Sequence, residues 1–192
     1  MDTRLLAVPL LSLALSAQTA VVDRVAVVVG KTVFTQSEVD DEARLAGMES
    51  GKPLDLSAAS RKAAAERLVD RELLRQEMTA TGFRIPSADS GTLIDGYRKS
   101  HNVGPTQLQA ELTRYGLTQQ ALVDRLNWEL SLIRFTDQRF KSFAPPADNN
   151  TANRVDNAPQ QPAPETTDQQ MDAWLKQRRA DTRVVFVPEA FK

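Results

Sequence analysis

One histidine, His101, and no cysteine limit the side-chain chemistry open to this 192-residue sequence. Without cysteine there is no disulfide, no thiolate nucleophile and no sulfur ligand for a metal. A Ser–His–carboxylate relay would have to be built on His101. Ser100 adjoins it, but no G-x-S-x-G elbow surrounds the pair, and the sequence around His101 and Asn102 reads as an exposed turn. Carboxylates are plentiful, yet Asp40, Asp41, Glu66, Asp70 and Glu72 lie among Arg61, Lys62, Arg67 and Arg71 at helical spacing. That pattern reads as a solvated ion-pair face rather than an acid–base couple. There is no glycine-rich phosphate loop and no metal-ligand spacing, so the expectation is a protein that is not an enzyme and carries no cofactor or metal.

The side chains suited to function are apolar. Over Gln119 to Phe143, read as one long helix capped by Thr118 and stopped by Pro145-Pro146, Leu122, Val123, Leu126, Leu130, Ile133 and Phe140 form a core-facing stripe. Trp128, Leu132 and Phe135 form a second stripe opposite. Either another helix covers that second stripe, or it is an exposed aromatic-rich contact surface. On the second reading Trp128, Leu132 and Phe135, with whatever Trp174 leaves uncovered, receive a polypeptide client, and replacing the three with serine should leave the fold standing.

The elements that would position these residues follow from periodicity. Val21 to Ala46 reads as a hairpin running into a helix. Val25, Val27 and Val29 fall on one face and Ala26 and Val28 on the other, Gly30-Lys31 forms a type II′ turn, and Thr35 with Glu38 makes a capping box. Both faces are apolar, so both call for cover. A two-stranded hairpin is marginal in water, so a third strand is expected, and Arg183 to Val187 supplies it. Ala58 to Thr81, capped by Ser57 and ended by Gly82, is the strongest helix, with Leu68, Val69 and Leu73 facing one way and Leu74 and Met78 another. Shorter helices follow, one capped by Ser87 and reaching about Ser100, the next starting at Pro105 and ending at Gly116. Met171, Trp174 and Leu175 mark a last helix. The fold class is mainly α with a small β element.

Residues 1–20 have the build of a secretory signal, with Arg4 ahead of an apolar run from Leu5 to Ala17. The run contains Pro9 and falls short of the ~20 apolar residues of a membrane span. Export and cleavage are therefore expected, with no stable membrane insertion afterwards. Lys and Arg total 24 against 25 Asp and Glu, a net charge of -1, and no basic stripe accumulates. Nucleic acid is not an expected partner. Residues 144–167 hold five prolines and four asparagines and read as a disordered linker, because such a composition cannot bury enough surface to offset ordering entropy. The organisation expected is thus a signal at 1–20, a module at 21–143, the linker, and a closing helix and strand at 168–192.

The runs VVDRVAVVVGKTVFTQSEVD, ERLVDRELLRQE, GFRIP, LQAELTRYGLTQQALVDRLNWELSLIRFTDQRF and WLKQRRADTRVVFV stand in one order. Together they resemble the SurA N-terminal, PpiC-type foldase family of envelope chaperones. The resemblance implies a helical chaperone core in the periplasm that binds unfolded outer-membrane or secreted polypeptides. Family members usually insert parvulin-type prolyl isomerase domains where this sequence has only the 144–167 stretch, which implies a chaperone core without isomerase activity. The alternative is a structural or assembly subunit of an envelope complex, or the partner of a separate isomerase.

Overall fold

In the computed structural model, residues 23–84, 88–140 and 166–192 are described. Strand β1 (Val25–Val29) turns through Gly30-Lys31 into β2 (Thr32–Thr35), with Gly30 at φ 59°, the positive value that a II′ turn asks of its first central residue. β2 feeds α1 (Gln36–Glu49) through the expected capping box of Thr35 and Glu38. Then come α2 (Ala58–Ala80), α3 (Ser90–His101), α4 (Pro105–Tyr115), α5 (Gln119–Arg139) and α6 (Thr167–Asp181). Strand β3 (Val184–Phe186) and a 3-10 turn (Pro188–Phe191) close the chain.

The first and last strands meet. β3 lies antiparallel to β1, with Val27, Val28 and Val29 opposite Phe186, Val185 and Val184, giving a sheet in the order β2-β1-β3. Backbone bonds from Gly30 to Arg183 and from Val187 to Ala26, both 2.9 Å, extend the pairing past either end of the ladder. Two details differ from the alternating pattern. A register shift between Val25 and Val27 forms a bulge at Ala26, so Val25 turns outward while Ala26 is buried with Val27 and Val29. The second face, Val33, Val28 and Val185 in one cross-strand row, stays partly open, with Val33 48% exposed.

Three apolar clusters hold the described residues together. The first packs the sheet on α1 and α2, with Val27, Val29, Val39, Ala64, Ala65 and Val69 sealed from solvent. Ala190 and Phe191 of the terminal 3-10 turn close it, a contribution that the sequence pattern did not announce. The second joins the end of α1 to α3, α4 and the start of α5 through Leu45, Met48, Leu108, Leu112, Leu122 and Val123. The third lies between the far ends of α2 and α5 and α6. The two sides of α2 divide as its sequence predicts: Leu68, Val69 and Leu73 enter the first cluster, Leu74 and Met78 the third.

α5 departs from its wheel. Its expected core stripe holds at the start, where Leu122 and Val123 are buried, and at Phe140, which is 5% exposed, but fails between them at Ile133, which is 61% exposed. Further on the opposite side is the covered one, because the helix leaves the α3–α4 pair and meets α2 and α6 instead. Its last residue is Arg139, with Phe140 as C-cap; 141–143, expected as helix, lie outside the described residues. α3 is capped by Asp89, whose carboxylate accepts from Thr92 N at 2.9 Å, rather than by Ser87, which also lies outside them. Thr166 caps α6 in a capping box with Gln169 and Thr167 is its first residue, so the last two positions of the expected linker belong to the helix. The signal and the rest of that linker fall outside the described residues.

The charged face is the largest correction. Asp41 and Glu72 pair along their own helices, with Arg44 and Arg75, but Asp40, Glu66 and Asp70 pair between helices. Arg61 of α2 binds Asp40 of α1 through Nε at 2.7 Å and Nη2 at 3.3 Å, and Arg179 of α6 bridges Asp70 and Glu66 of α2. Glu72 is not solvated but 2% exposed, accepting bonds from Thr32 Oγ1 (2.6 Å), Arg75 (2.7 Å) and Gln76 (2.8 Å). Burial pushes its carboxyl up, and the bonds from Arg75, Thr32 and Gln76 outweigh that and leave it below the usual glutamate range.

Candidate functional site

His101 ends α3 on the surface, stacked on Tyr97 with ring centroids 4.1 Å apart. Ser100 Oγ lies 3.0 Å from its Nδ1 but donates to the Tyr97 carbonyl at 2.9 Å, and among the described residues no carboxylate pairs with the ring. The hydroxyl is committed to a backbone carbonyl, and the ring Nδ1 lies 3.0 Å from that same carbonyl rather than facing a carboxylate, so no nucleophile is activated here. Among the described residues no group of three His, Asp or Glu side chains could hold a metal ion.

The large apolar side chains converge elsewhere, where α2, α5 and α6 come together. Leu74 of α2, Trp128 and Leu132 of α5, and Met171 and Leu175 of α6 line a groove of about 440 Å³. Charged side chains line it as well: Arg67, Arg71 and Arg125 with Asp70, Glu129 and Asp172. The Arg71 guanidinium lies 5.8 Å from the Trp128 ring centroid, close enough to hold the indole by its face. The cavity of about 340 Å³ beside Asp95, Arg98 and Lys99, and that of about 260 Å³ between α1 and α2, are lined by charged or small residues.

The four sequence-selected residues all belong to this region but play different parts. Trp128 and Leu132 are half-buried and line the groove. Phe135, one turn on, is 2% exposed and packs edge-on against Phe83 with centroids 5.3 Å apart. It is core, which overturns the expectation that all three could become serine at little cost. Trp174 sits half-buried on α6 against the third cluster, with the Phe140 ring at 6.5 Å and the Arg178 guanidinium at 5.6 Å.

An ion cluster fixes the floor of this region. Glu42 of α1 is 2% exposed and accepts from Arg67 (2.9 Å), Arg71 (2.5 Å) and Arg125 (3.4 Å), which come from α2 and α5. Arg125 also grips Glu49 at 2.8 and 3.0 Å and Glu129 at 2.9 Å. Burial pushes Glu49 above the usual glutamate range although Arg125 pulls it down. Sequence reasoning missed Glu42 because D-D-E-A offers no sign of which of three consecutive acids turns inward. Leu74, Met171 and Leu175 had a signal in the split apolar faces of α2 and the M-x-x-W-L spacing of α6.

The arrangement suits non-directional apolar contact, with most of the charges around it in ion pairs. No family profile matches the sequence. Part of the chain is similar to a chaperone. It is 32% identical over 100 residues to the protein called chaperone SurA of Bordetella avium (strain 197N), a match covering 50% of this chain and 20% of that protein. The chain thus spans about a fifth of that relative's length. No helix among the described residues is long and apolar enough to cross a membrane.

Proposed function

We propose that this chain is a periplasmic chaperone, exported by the signal at 1–20, that transiently binds unfolded outer-membrane or secreted polypeptides without catalysing prolyl isomerisation. The observation that carries the reading is the groove itself: Trp128 and Leu132, half-buried beside Leu74, Met171 and Leu175, offer apolar contact between three helices, and five of the six charged side chains lining it, all but Asp172, are in ion pairs. The similarity to chaperone SurA supports it from an independent side. Micromolar affinity corresponds to about 8 kcal/mol. Each large apolar side chain buried supplies ~1.5–3 kcal/mol, so roughly four to six client anchors suffice once ordering costs are deducted. Trp128 and Leu132 receive such anchors directly, and Phe135 and Trp174 support the surface from below.

The test is suppression of aggregation when a denatured β-barrel protein is diluted into buffer containing the chain without its first 20 residues. Protection at near-stoichiometric concentration is the expected result, with proline-limited refolding of a model substrate no faster than background. No protection, together with one folded partner recovered stoichiometrically from envelope extracts, would mark the chain as an assembly subunit instead.

A further inference from the structure

α6 closes the third cluster, yet none of its own residues is fully buried. Its apolar side chains Met171, Trp174 and Leu175 stand at i, i+3 and i+4, the spacing by which an amphipathic helix seats in a groove. They rest half-buried on a bed that is itself almost sealed: Leu74 4%, Met78 1%, Phe135 2% and Phe140 5% exposed. One turn later Arg178 reaches Glu77 at 2.9 Å, and Arg179 reaches Asp70 at 2.7 Å and Glu66 at 2.5 Å. The two arginine side chains are still 43% and 36% exposed, and pairs so exposed hold weakly. β3, by contrast, is tied to β1 by backbone pairing, so α6 can lift from its seat while the chain after it stays anchored.

We propose that α6 is a displaceable stand-in for a client: its bed on α2 and α5 accepts an amphipathic helical segment with two or three large apolar residues in one turn and basic residues one turn later. This rests on the reading of the region as a polypeptide-binding surface. α6 itself shows what fits. When it lifts, Glu66 and Asp70 on α2 lose Arg179, and Glu77 loses Arg178 while keeping Arg139 of α5 at 3.7 Å. An incoming segment with positive charge restores those pairs, and an acidic one is repelled.

The test uses a fluorescent peptide with the sequence of residues 166–181, titrated by anisotropy with the chain lacking its first 20 residues and with its R178E/R179E variant. The variant loosens its own α6, so it binds the peptide about tenfold more tightly, equivalent to ~1.4 kcal/mol. A peptide carrying both glutamates binds neither chain detectably. Equal affinity of the two chains, or of the two peptides, overturns the proposal. Should the variant fail to fold, amide hydrogen exchange on the unsubstituted chain decides: α6 exchanges at least about tenfold faster than Leu68 to Leu74 of α2 if it opens locally, and at the same rate if the proposal is wrong. Aggregation assays run alongside separate the two readings. Protection of a β-barrel client with unchanged peptide binding by the variant removes the stand-in role and leaves the client role. Absence of protection removes the client role and this inference with it.

Discussion

The first and third apolar clusters use α2 from opposite sides and are built from different materials. Under the sheet, the sealed residues are mostly alanine and valine, stiff or featureless side chains that let strand and helix approach closely and leave little to rearrange. Between α2, α5 and α6 the material is Met78, Phe83, Phe135, Phe140, Met171 and Trp174, large or flexible groups under a helix with no fully buried residue. Methionine and aromatic surfaces can repack around varied partners, whereas a close-packed valine core cannot. The comparison assigns stability to one end of α2 and adaptability to the other.

Replacing Phe135 with serine tests where the third cluster stops being adaptable. Phe135 is as buried as any large residue of the first cluster, so the change should cost about 3–5 kcal/mol in denaturant unfolding, and a loss below ~1 kcal/mol would mean that the cluster closes over the gap. Glu42→Ala comes next. It strands Arg67, Arg71 and Arg125 around an empty carboxylate position, and about 3 kcal/mol should be lost because their partner is buried even though they reach solvent.

Glu72→Gln is smaller and depends on pH. The folded-state carboxyl titrates below its ordinary value of 4.5, so its ionised form stabilises the fold above that pH and the contribution disappears as pH falls through the lowered value. The variant should be about 2 kcal/mol less stable at pH 7, and the gap should narrow below pH 4.5 in thermal unfolding curves. A gap that widens in acid would mean that burial, not the bonds from Arg75, Thr32 and Gln76, dominates.

Much of the fold was legible because local signals and long-range needs agreed. The capping box at Thr35, the Gly30 turn, Ser57 before α2, Pro105 at the first position of α4 and Gly116 after it all stand where the sequence puts them. The pairing of β3 with β1 followed from a hairpin that needed a neighbour and a single later run able to provide one. What stayed hidden depends on which element lies opposite. A helical wheel shows two stripes on α5 but not that its partners change midway, so it places Ile133 inside and leaves open whether Phe135 is covered or exposed. Likewise the spacing of Asp40, Glu66, Asp70 and Glu72 among arginines cannot separate pairs along one helix from pairs between helices. Of the candidate site, Trp128 and Leu132 were readable as an apolar stripe, whereas the groove they line needs Leu74, Met171 and Leu175 from elements far away in sequence.

A moderate expected change in stability carries the largest expected change in function. Trp128→Ser with Leu132→Ser removes two half-buried side chains and should cost about 1.5–3 kcal/mol, leaving the circular dichroism spectrum unchanged. Aggregation of a denatured β-barrel protein, followed by light scattering with this double variant and with the unsubstituted chain at equal concentration, is the direct measurement. The groove account predicts that the variant stays folded and no longer protects; full protection by a folded variant would contradict it.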